Sequence, residues 1–316
     1  MNVVRKTDTF LSADGKTNIA CYFYEPENGA TAGVVQISHG MCEYVDRYED
    51  FIAYLCENGF AVCGNDHLGH GHTASRPEDL GYFAEKEGDA FLPKDLHQMT
   101  QLARKRYPGL PLILFGHSMG SLIARRYLVD YGRELEGVIL CGTSGSQPAA
   151  GLGVWLAKRI GSVRGLHHRS KLLDRLSIGN FNSRFRPEKG NNLWLSRDQA
   201  QVARYSRNPL TNYRFTTGGF RDMFHLVQTV SGRQWAEKVP KDLPVLLISG
   251  AMDPVGNFGK GVREVERLLR EAGVRDLTCR LFEEDRHEIL FELDREEVFR
   301  YILDWCRRIC GKSDRK

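Results

Sequence analysis

Three observations predict an α/β fold with a mostly parallel sheet, helices on both faces and a helical insertion. Short, nearly continuous apolar runs recur along the chain, and helix-length amphipathic segments separate most of them. One long stretch, residues 146–235, instead strings helical segments together with no strand between them. The runs lie at 33–38 (GVVQIS), 60–65 (FAVCGN), 111–116 (PLILFG), 135–142 (LEGVILCG), 244–250 (PVLLISG) and 274–282 (VRDLTCRLF). Runs that do not alternate suit strands buried on both faces, as in a parallel sheet. An opening pair of strands is predicted within 8–26, turning at Asp14 and Gly15.

The helical segments have their own periodicity. At 48–59 Phe51 and Leu55 share a face and Gly59 supplies the stop; at 91–109 Leu92, Leu96, Met99 and Ala103 form one stripe that ends before Pro108. Further helices are predicted at 119–132, 258–273 and 295–310. Within the insertion, helices are predicted at 151–163, 193–206 and 220–230, around a Gly/Asn/Arg-rich middle. The expected division is therefore a core of residues 1–145 and 236–316 with a cap, 146–235, over one edge of the sheet.

Composition excludes several classes. The 316 residues are 41% apolar and 27% charged, ordinary for a globular chain. The first twenty residues are broken by Arg5, Lys6, Asp8, Asp14 and Lys16 and lack a signal-peptide apolar core, and no run approaches the ~20 apolar residues of a membrane span. A soluble, cytoplasmic protein is expected. Eight scattered cysteines do not make a disulfide scaffold, and Cys306 with Cys310 lacks the further ligands of a metal site, so no metal is expected. The net charge of +4 is uneven: residues 146–235 hold 15 Lys or Arg against 4 acids, +11, which leaves the rest at −7.

The sharpest chemical signal is Gly116-His117-Ser118-Met119-Gly120, a GxSxG sequence between a strand and a helix. A serine at such a bend is pushed outward by a strained backbone, and the helix N-terminus below it offers free amides to a developing negative charge. The strand at 33–38 runs into His39-Gly40-Met41, so the backbone amides of Met41 and Met119 are the expected oxyanion donors. A serine hydroxyl requires a general base. Among ten histidines, His287 follows the last predicted strand, on the side where Ser118 emerges; the His67, His70, His72 cluster reads as a glycine-rich structural loop. Asp253, after the strand at 244–250, is the expected orienting acid, with Asp222 and Asp285 as alternatives.

HGMCEYVDRYEDFIAYLCENGFAVCGNDHLGHGHT, FGHSMGSLIARRYL, SGAMDPVG and DRHEILFE together resemble the monoacylglycerol lipase and lysophospholipase-like branch of the α/β-hydrolases, the serine aminopeptidase-type domain, over about residues 10–308. The resemblance implies an α/β-hydrolase fold, the triad Ser118, Asp253 and His287, an oxyanion amide at Met41, a structural role for Asp66, Gly69, His70 and Gly71, and cofactor-free hydrolysis of carboxylic esters. Gly256-Asn257 departs from the family pattern after the acid.

The expected partner is a small acyl ester. Trp155, Leu156, Leu173, Trp194, Phe220 and Phe224 are candidate walls of an acyl pocket, and the basic cap suggests contact with anionic lipid surfaces. An aminopeptidase is the closest competitor, but a free ammonium calls for carboxylates and the cap holds only Asp174, Glu188, Asp198 and Asp222. A nucleic-acid binder would leave the GxSxG element without a role, and no recognition motif accompanies the arginines. A catalytically silent scaffold would fail to react with a serine-directed fluorophosphonate.

Overall fold

Apolar side chains on both faces of the interior strands demand helices above and below. The computed structural model, which describes residues 3–179, 181–185 and 190–313 (side chains as far as 311), has that three-layer arrangement. Strands β1 (Val3–Leu11), β2 (Asn18–Pro26), β3 (Gly33–Ser38), β4 (Phe60–Asn65), β5 (Leu112–His117), β6 (Gly137–Cys141), β7 (Val245–Gly250) and β8 (Leu277–Phe282) form one sheet in the order β1-β2-β4-β3-β5-β6-β7-β8. β1 and β2 are antiparallel to their neighbours; the pairs from β4 to β8 are parallel. The two-residue period divides the core. In β5, Leu112 and Leu114 enter one buried cluster and Ile113 and Phe115 the other; in β7, Val245 and Leu247 separate from Leu246 and Ile248 in the same way.

Helices α1 (Glu49–Glu57), α2 (Gly88–Arg106) and α3 (Met119–Tyr131) precede the insertion, which carries α4 (Ala150–Arg164), α5 (Lys171–Ser177), α6 (Gln199–Arg207), α7 (Thr217–Thr229) and α8 (Gln234–Lys238). Then come α9 (Lys260–Glu271) and α10 (Arg295–Ser313). α1 and α10 bury Phe51, Leu55, Val298 and Ile302 on one face of the sheet; α2, α3 and α9 bury Leu96, Ile123 and Val265 on the other. This is the α/β-hydrolase arrangement that the sequence predicts. Among the described residues no helix is long and apolar enough to cross a membrane.

The insertion differs in detail from expectation. The 193–206 helix begins only at Gln199, because the Asp198 carboxylate accepts from the amides of Ala200 (2.9 Å) and Gln201 (3.3 Å) and caps it there. The short α5 and α8 carry too few turns to show a periodicity. The expected boundary at 235/236 falls inside α8, which packs on α3 and α9 of the core. Part of the Gly/Asn/Arg-rich middle, residues 180 and 186–189 with Glu188, lies outside the described residues. Arg125, fully buried in α3, ties both ends of the insertion together. It donates to the Ser144 carbonyl (2.7 Å) beyond β6 and to the Val230 carbonyl beyond α7, with its guanidinium 4.3 Å from the centre of the Trp235 ring.

The site is positioned by the sheet order. Since β3 neighbours β5 while β4 lies on its far side, the loops leaving the carboxyl ends of β3 and β5 open side by side, with Ser38 in register with Gly116. The first turn of α3 then presses on the end of β3, where a Cβ at Gly120 would fall on the carbonyl oxygens of Ser38 and His39. Gly120→Ala is therefore expected to lower stability by about 2 kcal/mol in urea denaturation, within the usual range for overpacking. An unchanged midpoint would mean that α3 is free to shift.

Candidate active site

Ser118 occupies a single residue between β5 and α3, so the chain must reverse there at once. Its backbone sits at φ 52°, ψ −119°, a left-handed conformation that a residue with a side chain adopts only under constraint. The constraint is local: the Ser118 amide donates to the Cys141 carbonyl (2.9 Å), the Ser121 amide returns to the Ser118 carbonyl (2.9 Å), and a Cβ on Gly116 would come within 2.6 Å of the Gly120 oxygen. Met119 is the first residue of α3, so its amide has no acceptor within the helix. A Cβ on Gly40, after β3, would lie 3.1 Å from that of Ser118; Met41 follows it into the same cavity.

His287 Nδ1 lies 2.9 Å from Asp253 Oδ2. Asp253 is fully buried; its Oδ1 accepts from the Val255 amide (2.8 Å) and its Oδ2 from Ser249 Oγ (3.2 Å), so the carboxylate is fixed in orientation. The departure at Gly256-Asn257 leaves it in place: Asn257 and Phe258 at φ 50° and 55° curl the loop back, and the Phe258 amide bonds the Asp253 carbonyl (2.8 Å). Of the alternative acids, Asp222 pairs with Arg221 (2.7 Å) and Asp285 with Arg197 (2.6 Å). Ser118, His287, Met41 and Met119 line one cavity of about 1110 Å³, with Asp253 behind the imidazole.

The cavity lining divides by element. α4 and α7 supply Leu152, Leu156, Phe224 and Val227, and the 182–212 stretch supplies the amides of Asn182, Asn191, Asn192 and Asn212. Leu156, Phe224 and Trp194 are thus at the cavity, as the sequence suggests. Trp155, Leu173 and Phe220 are not, and the reason is the side of the helix each occupies. Trp155 points outward, 58% exposed, whereas Leu173 and Phe220 are wholly buried in the main apolar cluster, with Phe220 against Phe215 and Phe224.

A buried charge network underlies the site and was not foreseen from sequence. Glu43 accepts from the Gly40 amide, Tyr48 Oη (2.9 Å), Arg47 (3.0 Å) and His117 Nδ1 (3.0 Å). Arg47 also grips both oxygens of Glu288 at 2.6 Å, and His117 Nε2 faces the His287 carbonyl at 3.4 Å. The loop after β3 and the loop that carries His287 are thereby joined. Burial alone would raise Glu43, yet His117 and Arg47 hold its carboxyl well below the usual range; burial pulls His117 down, but Glu43 keeps it above the ordinary imidazole value. Glu43, Arg47 and Tyr48 stand close together in the chain, but His117 and Glu288 stand far along it, so the sequence gives only a local sign of this network. By contrast, burial pushes His70 down to about 3 and His67 well below its usual value, so both are neutral packing residues; His67 Nε2 meets Ser38 Oγ (3.1 Å) and its amide donates to His39.

The family model for serine aminopeptidase, S33, matches residues 29–294. The chain is 27% identical to human monoglyceride lipase over 310 residues, covering 93% of this chain and 88% of that one. It is also 27% identical to the monoacylglycerol lipase of Mycolicibacterium smegmatis over 276 residues, covering 84% and 82%. Among solved structures, a thermostable carboxyl esterase of Bacillus coagulans in complex with glycerol superposes with a TM-score of 0.90 at 33% identity, covering 97% of this chain and 99% of that one.

The charge network makes a pH-dependent prediction. Glu43, depressed in the fold, stabilises above its unfolded value of about 4.3 and loses that contribution as the pH falls; His117, raised, stabilises below about 6.5 and loses its contribution as the pH rises through its folded value. The pair is most favourable between these limits. Glu43→Gln is expected to cost about 3 kcal/mol at pH 6, measured by chemical denaturation, and to flatten the loss of stability below about pH 5. A parallel acid limb in the variant would assign that limb to other carboxylates.

Proposed function

Because the chain belongs to the serine aminopeptidase S33 family and hydrolyses carboxylic esters as a serine enzyme, we propose that it cleaves lipid monoesters of the monoacylglycerol or lysophospholipid kind through an acyl-Ser118 intermediate. The observation that carries this reading is one cavity holding a serine under backbone constraint and an imidazole bonded to a buried carboxylate.

In the proposed reaction His287 takes the proton of Ser118 as Oγ attacks the acyl carbonyl. The amides of Met41 and Met119 receive the oxyanion, while Asp253 holds the imidazole and balances its positive charge. Collapse of the intermediate expels the alcohol, which leaves with the proton from His287. Water, deprotonated by His287, then attacks the acyl-serine; as this second intermediate collapses, His287 returns the proton to Ser118 Oγ and the acid departs. The apolar wall from α4 and α7 suits an acyl chain, each buried methylene contributing about 0.8 kcal/mol; the asparagine side suits a hydroxylated alcohol. Cap residues 146–235 cover the site on this reading. Peptide cleavage from a free amino terminus is disfavoured, since the acids at the cavity are engaged: Asp174 with Arg214 (3.0 Å), and Glu43 and Glu288 with Arg47.

The cap also suits a lipid–water boundary. Leu152, Trp155, Val163, Leu172 and Leu176 are exposed on α4 and α5, interspersed with Lys158, Arg159, Arg164, Lys171 and Arg175, which meet no carboxylate among the described residues. Leu152 and Leu176 also line the cavity, so its mouth opens within this surface.

Turnover of p-nitrophenyl esters from C2 to C16, a monoacylglycerol, lysophosphatidylcholine and an aminoacyl amide checks the reaction. Ester hydrolysis is expected throughout, with Ser118→Ala and His287→Ala each lowering kcat by about 10⁴-fold or more; faster cleavage of the amide than of every ester would overturn the substrate assignment. In sedimentation with phosphatidylserine-containing vesicles, the protein is expected to bind at low salt and to release when Trp155 and Val163 are replaced by Ser. Equal binding by that variant would refute an apolar docking face.

A further inference from the structure

The stretch between Leu193 and Arg197 belongs to the cap in sequence but not in its contacts. Its carbonyls and side chains meet the loop between β8 and α10 that carries His287. The His287 amide donates to the Trp194 carbonyl (3.2 Å), the Glu288 amide to the Leu195 carbonyl (2.7 Å), and Arg286 Nη1 to the Leu193 carbonyl (2.7 Å). Ser196 Oγ closes the far end on the Phe291 carbonyl (2.9 Å), and the Trp194 ring lies 5.0 Å from the imidazole.

Arg197 ends this stretch and makes it more than a packing contact. Its guanidinium meets Asp285 (2.6 Å), Asp294 (2.8 Å), Glu284 (2.8 Å) and Glu292 (3.1 Å), all in the histidine loop, and its amide bonds Glu292 as well. Asp285 and Glu292 are almost completely buried, and the acceptor for the Arg286 amide is again Glu292 (2.9 Å). Four carboxylates within eleven residues repel one another, and a loop so charged does not hold one geometry without a cation at its centre. The guanidinium fork fills the space between the acids, so the cluster does not serve as a metal site.

We propose that Arg197 is a positioning residue for His287: by gathering the carboxylates of the histidine loop it holds the imidazole in line with Ser118, and it makes residues 193–197 of the cap a fixed part of the active site. This rests on His287 being the general base. Burial, then Glu292 and Asp294, raise Asp285 to about 7, against the opposing pull of Arg197 from the cap; Glu284 and Arg286 flank it in the chain. Below that value the loop carries one negative charge fewer, so the need for Arg197 is least in mild acid and grows as the pH rises.

The test is steady-state hydrolysis of p-nitrophenyl acetate, too small to use the acyl wall, with kcat normalised to sites labelled by a fluorophosphonate. Arg197→Ala is expected to lower kcat by ~10- to 100-fold with KM changed less than about threefold, the deficit widening from about pH 6 to pH 8. Arg197→Lys, which keeps one charge but not the fork, is expected to recover part of kcat, and it decides the matter if the alanine variant does not fold. Either variant with wild-type kcat per labelled site across that pH range overturns the inference. Ser118→Ala, run in parallel, separates the two levels: turnover surviving in it overturns the reading of the active site itself, whereas its loss beside a wild-type Arg197 variant overturns only the role of Arg197.

Discussion

Close approach of α3 to the end of β3 is the constraint on which the site depends. α3 starts one residue after β5, and it can do so only because Gly116 and Gly120 leave no side chain between the bend and the neighbouring strand. That contact sets Ser118 at positive φ, aims the first amides of α3 at the cavity and brings the Gly40 loop against the serine. Strain at one residue is sustained because sheet register, helix packing and the Cys141 hydrogen bond all hold it.

Around that bend the protein spends buried charge on geometry. Pairs such as Glu43 with Arg47, or Arg197 with Glu292, gain little net stability over apolar replacements, because removing each ion from water offsets most of the attraction. They offer direction instead. An Arg47 fork on both oxygens of Glu288 fixes the residue next to His287, and Glu43 on the Gly40 amide fixes the loop that precedes Met41. Two loops that leave different strands are thus held in one frame without a covalent link.

Much of this was legible in the residues. The buried strands announced themselves as unbroken apolar runs, and the expected opening pair is β1 and β2. Ser118, Asp253 and His287 could be singled out because each follows a strand on the side where loops collect, a local signal repeated three times, and the structure brings Ser118 and His287 to one cavity with Asp253 bonded to the imidazole. What was not legible depends on distance along the chain. Nothing near Glu43 names His117, and nothing near Arg197 names Asp285; both are joined only once the sheet is built. Helical period also cannot say which apolar face looks into a cavity and which looks into packing or water, and so Trp155, Leu173 and Phe220 were misjudged beside Leu156 and Phe224. At 193–198 a helical pattern lost to a better offer, since the backbone there bonds the histidine loop and Asp198 starts the helix late.

The insertion is bound to the rest of the chain at several separate places. α7 packs on α2 and α3, Arg125 binds the chain at both ends of the insertion, and residues 193–197 are bonded to the histidine loop; these parts share the rigidity of the sheet. α4 and α5 pack on α7, with Ala157 and Leu173 reaching the main buried cluster, and they carry exposed apolar side chains, of which Leu152 and Leu176 also line the cavity. A single insertion thus supplies both the apolar wall of the cavity, from α4 and α7, and a stretch at 193–197 bonded to the loop that carries His287.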